Sequence, residues 1–247
     1  MPSFDDVLPK AGGDAATDAV ADAADDVAAP ADGDQEGGAL VGCDDPSALA
    51  IWPLTEGSGT KVHDCAGKFP GVFMGSVSWA QGRGGLPALD FSGGSVRFMD
   101  VQALRLSGPF TVTAWVSPRN TQTDVFGDVI CRYRAGGEGV WALAVTKDPL
   151  IELNVFAGNI TQVTGGVAFT WAHTAATYDP GSGKMEIYVS GNLKSSITGP
   201  TMPTQSTVPL TFGANSDGTS IFHGGLSQVR LYDRVLSSSE IGALAQK

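Results

Sequence analysis

Short apolar stretches recur along the chain from about residue 48 onward, and in most of them apolar and polar residues alternate. Turn-forming residues separate them, as in Asp179–Gly183 and Ser190–Asn192. A period of two is typical of strands with one buried face, and such turns are typical of antiparallel hairpins. The pattern predicts strands at Ala48–Leu54, Pro87–Phe91, Ser95–Met99, Phe110–Ser117, Asp128–Arg134, Val140–Val145, Ile151–Phe156, Trp171–Asp179, Lys184–Ser190, Pro209–Gly213 and Leu226–Tyr232.

Many short strands at this spacing favour an all-β fold, an antiparallel β-sandwich of the jelly-roll type. The C-terminus is the exception. Ser237 and Glu240 fit a capping box, with the serine at the N-cap and the glutamate three residues later. Ile241, Leu244 and Ala245 then form an apolar stripe of about two turns. We therefore expect one short C-terminal helix.

The first 47 residues have a different composition. Residues 11–34 consist mainly of Ala, Asp and Gly, with Val20 and Val27 as the only β-branched aliphatic residues. Such a segment buries too little apolar area to offset the entropy of ordering it. An Ala-rich helix is the alternative, but the aspartates repeat at i,i+4 spacing and repel one another there. The composition predicts a disordered acidic tail over residues 1–47 and one folded domain over residues 48–247.

The charge of the chain is concentrated in that tail. Residues 1–45 carry twelve acidic side chains and one basic one, Lys10, which gives −11 and equals the formal net charge of the whole chain. The remainder is neutral, so the acidic balance describes the tail. The net charge of −11 argues against nucleic acid or an anionic membrane surface as a partner. No apolar run approaches the roughly 18 residues of a membrane helix, so membrane insertion is not expected.

The N-terminal sequence shows no export signal. MPSFDDVLPK has neither a basic region nor an apolar core. Leu40–Cys43 resembles the lipobox of bacterial lipoproteins, but DGDQEGG rather than an apolar stretch precedes it, which favours a chance match. A signal further upstream stays an open alternative.

Five ordered blocks resemble the laminin-G-like, or concanavalin A-like, jelly-roll domains of bacterial extracellular proteins. They are IWPLTEGSGTKVHDCAG (51–67), ALDFSGGSVRF (88–98), PFTVTAWVSPR (109–119), WAHTAATYDPGSGKMEIYVSGNL (171–193) and IFHGGLSQVRLYDRVLSSSEIGALA (221–245). The resemblance implies two antiparallel sheets, one convex and one concave, with ligand-binding loops at the rim. It also implies an extracellular or cell-surface location and a structural role for His173.

Bacterial laminarinases share this fold and carry an E-x-D-x-x-E pattern on one strand face. Their acid and nucleophile must flank one glycosidic bond at about 5 Å from each other. This chain has no such pattern, because Glu152 and Glu186 each stand alone on their strands. The histidines lack zinc-site spacing, and no G-x-S-x-G motif occurs. We therefore expect a protein that is not an enzyme.

Relatives of this kind often hold a structural Ca²⁺ between the N-terminal loop and the last strand. Asp64 is the candidate ligand here, beside Glu56. The closing strand has Ser227 or Gln228 where relatives usually have aspartate, and losing a carboxylate weakens a calcium site. No cofactor is expected, and Asp64 is interpreted as a turn residue that bonds its own backbone.

The three cysteines are Cys43, Cys65 and Cys131, so at least one is unpaired within the chain. Cys131 lies in an alternating strand and is interpreted as a small buried core residue. Cys43 and Cys65 flank the first strand, and an extracellular domain could bridge them. A chain without that bridge is the alternative.

Alternation also separates the two faces of each strand. Apolar residues occupy one face, and the other mixes aromatic, amide and charged side chains. This is the mixture that sugar sites use, although a solvated sheet face is the simpler interpretation. The predicted ligand-binding residues are Trp115, Arg132, Arg134, Glu152, Asn154 and Tyr188.

Together these observations predict a monomeric, non-catalytic binding module of an exported bacterial protein. Its expected ligand is carbohydrate or a cell-surface protein. A structural or adhesive accessory domain without a small ligand is one alternative. A glycan-active enzyme with an unfamiliar site is the other.

Overall fold

The structure, a computed structural model, describes residues 42–121, 125–134, 138–157, 160–201 and 206–247. The chain divides into two units, Met1–Gly37 and Gly38–Lys247. The first unit, and with it most of the predicted tail, lies outside the described residues. The second unit contains the folded domain.

Fourteen strands and one helix make up the described part of this unit. The strands are β1 (Ala50–Trp52), β2 (Lys61–Val62), β3 (Gly71–Gln81), β4 (Pro87–Phe98), β5 (Phe110–Pro118), β6 (Phe126–Arg134), β7 (Glu138–Thr146), β8 (Leu150–Phe156), β9 (Ile160–Gly166), β10 (Ala172–Asp179), β11 (Lys184–Val189), β12 (Asn192–Thr198), β13 (Thr211–Phe212) and β14 (Gly224–Tyr232). The helix is α1 (Ser238–Leu244), and short 3₁₀ turns span Arg83–Gly85 and Gln102–Arg105.

The strands form two antiparallel layers, which confirms the predicted all-β sandwich. Sheet I has the order β12-β11-β10-β5-β14, and sheet II has the order β13-β6-β7-β8-β9. Strand β4 joins them, because Leu89–Phe91 pair with β14 and Val96 and Arg97 pair with β13. Strand β3 pairs along the length of β4. Gly94 lies within β4, where a Cβ atom would come within 2.4 Å of the Met74 carbonyl oxygen, so the close approach of β3 requires glycine.

The inner faces of the two sheets share one apolar core. Trp52 stands at its centre, fully buried, with ring centroids 5.0 Å from Phe98 and 5.4 Å from Phe212. Its indole Nε1 donates to the Phe69 carbonyl oxygen at 2.8 Å. The alternating apolar residues of the predicted strands supply most of the remaining core, as a period of two requires.

Three of the longer strands, β3, β9 and β12, and the two-residue β2 were not predicted from the sequence. Each of the three longer strands lies beside the sandwich or at a sheet edge and is largely exposed. Edge strands need few apolar residues because neither face is fully covered, so the alternation that signals a strand is weak there.

The predicted helix is confirmed, including its cap. Ser237 accepts the Glu240 backbone N–H, and the Glu240 side chain accepts the Ser237 backbone N–H. The buried side chains Ile241 and Leu244 pack in a cluster with Tyr188 and Tyr232 of sheet I. The helix therefore covers part of the outer face of sheet I.

The predicted disulfide is also confirmed, since Cys43 is bonded to Cys65 with 5.5 Å between their Cα atoms. The neighbouring Asp44 pairs with Arg230 at 3.0 Å and with Lys247 at 2.7 Å. These partners, the Lys247 hydrogen bond first, lower the pKa of Asp44 to about 2. Composition assigns residues 43–45 to the tail, but these contacts fasten them to the domain.

Candidate functional site

The six predicted ligand-binding residues do not share one face. Trp115 and Tyr188 lie on the outer face of sheet I, whereas Glu152 and Asn154 lie on the outer face of sheet II. The side chain of Arg134 lies outside the described residues. These residues therefore do not form one binding surface, because alternation along one strand does not say which sheet that strand joins.

Arg132 belongs to neither outer face. It pairs with the core residue Trp141, and only 1% of it is exposed. Its guanidinium donates to the carbonyl oxygens of Val208, Ser206 and Arg105. The side chain thus ties separate loops together instead of facing solvent.

Tyr188 is likewise withdrawn from solvent. It is 1% exposed beneath α1, and its hydroxyl donates to Glu186 Oε2 at 2.9 Å. Burial is the largest cause that raises the pKa of Tyr188 above its usual value. This residue fastens the helix to sheet I.

Small and polar side chains share the outer face of sheet II, and we call this set of residues the sheet II groove. Across β6, β7 and β8, the register places Asp128 opposite Ala144, and Ala144 opposite Glu152. One row further along, Cys131, Ala142 and Asn154 are aligned in the same way, and Gln162 of β9 extends that row. The two alanines of β7 form a floor of small side chains. The residues that line the sheet II groove are Asp128, Cys131, Tyr133, Ala142, Ala144, Glu152, Asn154, Phe156, Gln162 and Thr164.

Aromatic rings close one end of this groove. The rings of Tyr133 and Phe156 stack with centroids 4.2 Å apart and an interplanar angle of 7°. They belong to β6 and β8 and meet across β7, where the residue opposite Tyr133 is Gly139. Because glycine has no side chain, the rings can approach over it. Tyr133 is half-buried and Gln162 is exposed, so solvent reaches the edge of the Tyr133 ring and the β9 side of the groove.

A bulge in β6 puts Asp128 into the groove. The pairing with β7 shifts between Asp128 and Ile130, so that Val129 and Ile130 both join the core. Strict alternation would have placed Asp128 on the same face as Ile130. Such a shift leaves no clear mark in the residue pattern, which is why sequence reasoning missed Asp128 as a groove residue.

Both acidic groups of the groove are poorly solvated. Asp128 is 4% exposed, and this burial raises the pKa of its carboxyl to about 7. Burial also raises the pKa of Glu152. Glu152 Oε1 accepts a weak hydrogen bond from Gln162 at 3.4 Å, whereas its buried Oε2 has no hydrogen-bond partner within the described residues. The groove therefore holds hydrogen-bonding capacity that the described part of the protein does not use.

The loop between β13 and β14 borders the groove on its other side. The Ala214 carbonyl oxygen accepts hydrogen bonds from Thr211 Oγ1 at 2.7 Å and from the Cys131 thiol at 3.6 Å. Cys131 is fully buried under this loop, as predicted, and burial raises the pKa of its thiol.

Beyond the loop lies a cavity of about 200 Å³ over β3 and β4, lined by residues that include Met74, Ser95 and Arg97.

The candidate calcium ligand, Asp64, uses both oxygens within its own turn. Oδ1 accepts the Phe69 N–H at 2.6 Å and Oδ2 accepts the Ala66 N–H at 3.1 Å. Toward the last strand, the Gln228 N–H donates directly to the Pro53 carbonyl oxygen. In the part of the chain that the structure describes, no three Asp, Glu, His or Cys side chains are placed to share a metal ion.

Asp128 makes the stability of the domain depend on pH. The raised pKa means that the folded state binds the proton more tightly than the unfolded chain, in which aspartate titrates near pH 4. The contribution of the carboxyl is fully present below about pH 4 and is lost as the pH rises to about 7. Relative to Asp128→Asn, the wild-type protein is expected to lose roughly 2–3 kcal/mol of unfolding free energy between pH 5 and pH 8. Urea denaturation at both pH values measures the change, and parallel profiles for the two proteins would contradict it.

Residues 90–242 match a family model described as laminin G type, concanavalin A-like lectin/glucanases superfamily. The chain belongs to this superfamily. The match extends from β4 into α1 and so includes every strand of the groove. It confirms the family that the five sequence blocks resemble.

Solved structures with the same fold include the binding domains of a botulinum neurotoxin and of a mosquitocidal protein. The binding domain of botulinum neurotoxin DC in complex with rat synaptotagmin II is 13% identical, with a TM-score of 0.64. The binding domain of Paraclostridial Mosquitocidal Protein 1 is 16% identical, with a TM-score of 0.63. Each match covers 81% of this chain and 51% or 52% of the other, so the chain spans about half the length of these structures. At this identity the likeness concerns the fold.

No curated protein matches the sequence. Within the described residues, the structure contains no helix that is long and apolar enough to cross a membrane.

Proposed function

We propose that this domain is a non-catalytic binding module of an exported bacterial protein, and that it binds carbohydrate in the sheet II groove. The observation that carries the proposal is the composition of the groove. Carboxyl and amide groups flank a floor of two alanines, and stacked aromatic rings close one end. Carbohydrate recognition requires planar polar groups for hydroxyls and aromatic surfaces for C–H faces.

The unused hydrogen-bonding capacity supports the same conclusion. A buried carboxylate oxygen without a partner, such as Glu152 Oε2, raises the energy of the empty site. A ligand hydroxyl that donates to it removes this cost. Gln162 and Thr164 lie on the neighbouring strand at the accessible side and can contact the same ligand.

The comparisons support a binding role and an extracellular location. One solved relative is the binding domain of botulinum neurotoxin DC in complex with SialylT, and another is bound to rat synaptotagmin II. The Cys43–Cys65 disulfide is typical of proteins that leave the reducing cytosol. A surface protein is the second partner class, and a direct binding test separates it from carbohydrate.

The binding test combines a glycan array with titration calorimetry on the best ligand. Asn154→Ala and Gln162→Ala are each expected to weaken binding about tenfold, which corresponds to ~1.4 kcal/mol. Each variant removes one amide that holds a hydroxyl. Thermal denaturation verifies that both variants remain folded.

Gln81→Ala is the matched control. Gln81 is an exposed glutamine at the end of β3, away from the groove, so its removal should leave the affinity unchanged. Equal affinities of the wild type and the three variants would show that the glycan binds outside the sheet II groove. A complete absence of glycan binding would favour the accessory domain, and turnover of pooled polysaccharides would favour the enzyme.

A further inference from the structure

The outer face of sheet I contains a second concentration of unsatisfied polar atoms. Four buried side-chain atoms there have no hydrogen-bond partner among the described residues: Thr113 Oγ1, Trp115 Nε1, His173 Nδ1 and Arg230 Nη1. Thr113 and Trp115 lie two positions apart on β5. His173 of β10 is opposite Trp115, and Arg230 of β14 is opposite Thr113. We call these four residues the Trp115 cluster.

A bulge in β14 brings Arg230 into this cluster. The pairing with β5 shifts between Ser227 and Arg230, and Gln228 adopts a left-handed conformation with φ of 49°. The shift lets Leu226, Val229 and Leu231 all reach the core while Arg230 faces outward. Without the bulge, Arg230 and the core residue Leu226 would share a face.

The guanidinium of Arg230 is held so that one nitrogen stays unused. Its Nη2 donates to Asp44 Oδ1 at 3.0 Å and to the Gly42 carbonyl oxygen at 3.2 Å. This segment is in turn fixed by the Cys43–Cys65 disulfide. Within the described residues, Nη1 is buried and has no such partner.

Arg83 covers the cluster from outside. Its guanidinium carbon lies 3.9 Å from the centroid of the Trp115 ring, and its Nη2 donates to a terminal carboxylate oxygen of Lys247, the last residue of the sequence. The His173 ring lies on another side of Trp115, with ring centroids 5.6 Å apart. Arg83 is only partly buried and sits in a turn with two glycines, Gly84 and Gly85, so it can swing away without disturbing a sheet.

The electrostatic field at this place is positive. Burial, then the charges of Arg230 and Arg83, lower the pKa of His173 to about 4, so its imidazole is neutral at physiological pH. Among the described residues, Asp44 is the carboxylate that pairs with Arg230, and it is shared with Lys247.

The hydrogen-bonding capacity of these four atoms indicates which kind of ligand they can bind. Trp Nε1 and Arg Nη1 can only donate hydrogen bonds, and a threonine hydroxyl and a neutral imidazole can donate as well. A ligand that accepts at two oxygens and carries one negative charge satisfies them together. From this geometry we propose that the Trp115 cluster binds the carboxylate of a small ligand, with Arg83 as its movable cover. This site lies on the opposite sheet from the sheet II groove and does not depend on the function proposed for that groove.

The Trp115 indole N–H signal in ¹H–¹⁵N spectra of the full chain tests the proposal. The spectra are recorded during titration with sodium acetate at constant ionic strength, and Trp115→Phe identifies the signal. Acetate is expected to shift the Trp115 signal until the site is saturated. Chloride and sulfate are expected to leave the signal unchanged. Glucuronate is titrated next, with glucose as its counterpart without a carboxylate. Tighter binding of glucuronate than of acetate indicates an acidic sugar as the source of the carboxylate. Equal binding of the two indicates a free small carboxylate.

Thr113→Val removes one donor while keeping the side-chain shape, and it is expected to weaken acetate binding at least tenfold. Trp79→Phe is the matched control, because the Trp79 Nε1 donates to the Gly59 carbonyl oxygen on a different part of the surface. Its acetate affinity should equal that of the wild type. An unmoved Trp115 signal would show that water alone occupies the cluster and would overturn the proposal. Equal shifts with acetate, chloride and sulfate, or an unchanged affinity in Thr113→Val, would overturn it as well.

Discussion

Replacing Arg132 with alanine is expected to lower the free energy of unfolding by about 3–5 kcal/mol. The buried guanidinium donates to the carbonyl oxygens of Val208, Ser206 and Arg105, and alanine would leave all three without a donor. Burial lowers the pKa of Arg132 to about 10, which still leaves it protonated at neutral pH. Its hydrogen bonds are therefore charge-assisted, and these are the stronger kind. Guanidinium chloride denaturation, fitted with a common m-value, measures the loss.

Arg97→Ala is the control for this variant. Arg97 is exposed and donates to one carbonyl oxygen, that of Ser216, so its loss should cost at most about 1 kcal/mol. An Arg132→Ala protein that keeps its stability but loses a ligand would restore Arg132 as a binding residue. It would then contradict the structural role assigned to it here.

The second large effect is expected at Leu153. This fully buried side chain packs in the core opposite Leu143 and Val163, so Leu153→Ala should cost about 2–5 kcal/mol through lost burial and a residual cavity. Asn154, one residue along, lies in the sheet II groove opposite Ala142. Asn154→Ala should cost at most about 1 kcal/mol, because no apolar packing is removed. Urea denaturation of both variants gives the two values.

This pair tests the register of β8 directly. A stable Leu153→Ala protein together with an unfolded Asn154→Ala protein would mean that the two faces of the strand are exchanged. A one-residue change of register has that consequence, since every side chain then moves to the other face.

Local patterns in the sequence were sufficient for the fold class. Apolar alternation at Phe110–Ser117 and Ile151–Phe156 predicted β5 and β8 to within a residue or so, because burial of one face imposes a period of two. The capping residues Ser237 and Glu240 predicted the start of α1, since a capping box satisfies the free N–H groups of the first turn locally. The flanking positions of Cys43 and Cys65 suggested the disulfide that the structure contains.

The functional surfaces depended on information that no single strand carries. Arg132 alternates like a solvent-facing residue, yet its carbonyl partners come from loops up to 76 residues away along the chain. Trp115 and Asn154 both alternate as polar-face residues, and strand order assigns them to opposite sheets.

Two β-bulges determined the positions of two further polar side chains. One in β6 moved Asp128 into the sheet II groove, and one in β14 turned Arg230 toward Trp115. A bulge forms where packing of the neighbouring strands favours one extra residue, so its position depends on contacts distant in sequence. The sequence by itself therefore determined which segments are strands and which of their faces are apolar. Only the tertiary structure decided which polar side chains meet, because that depends on strand order and on shifts of register between strands.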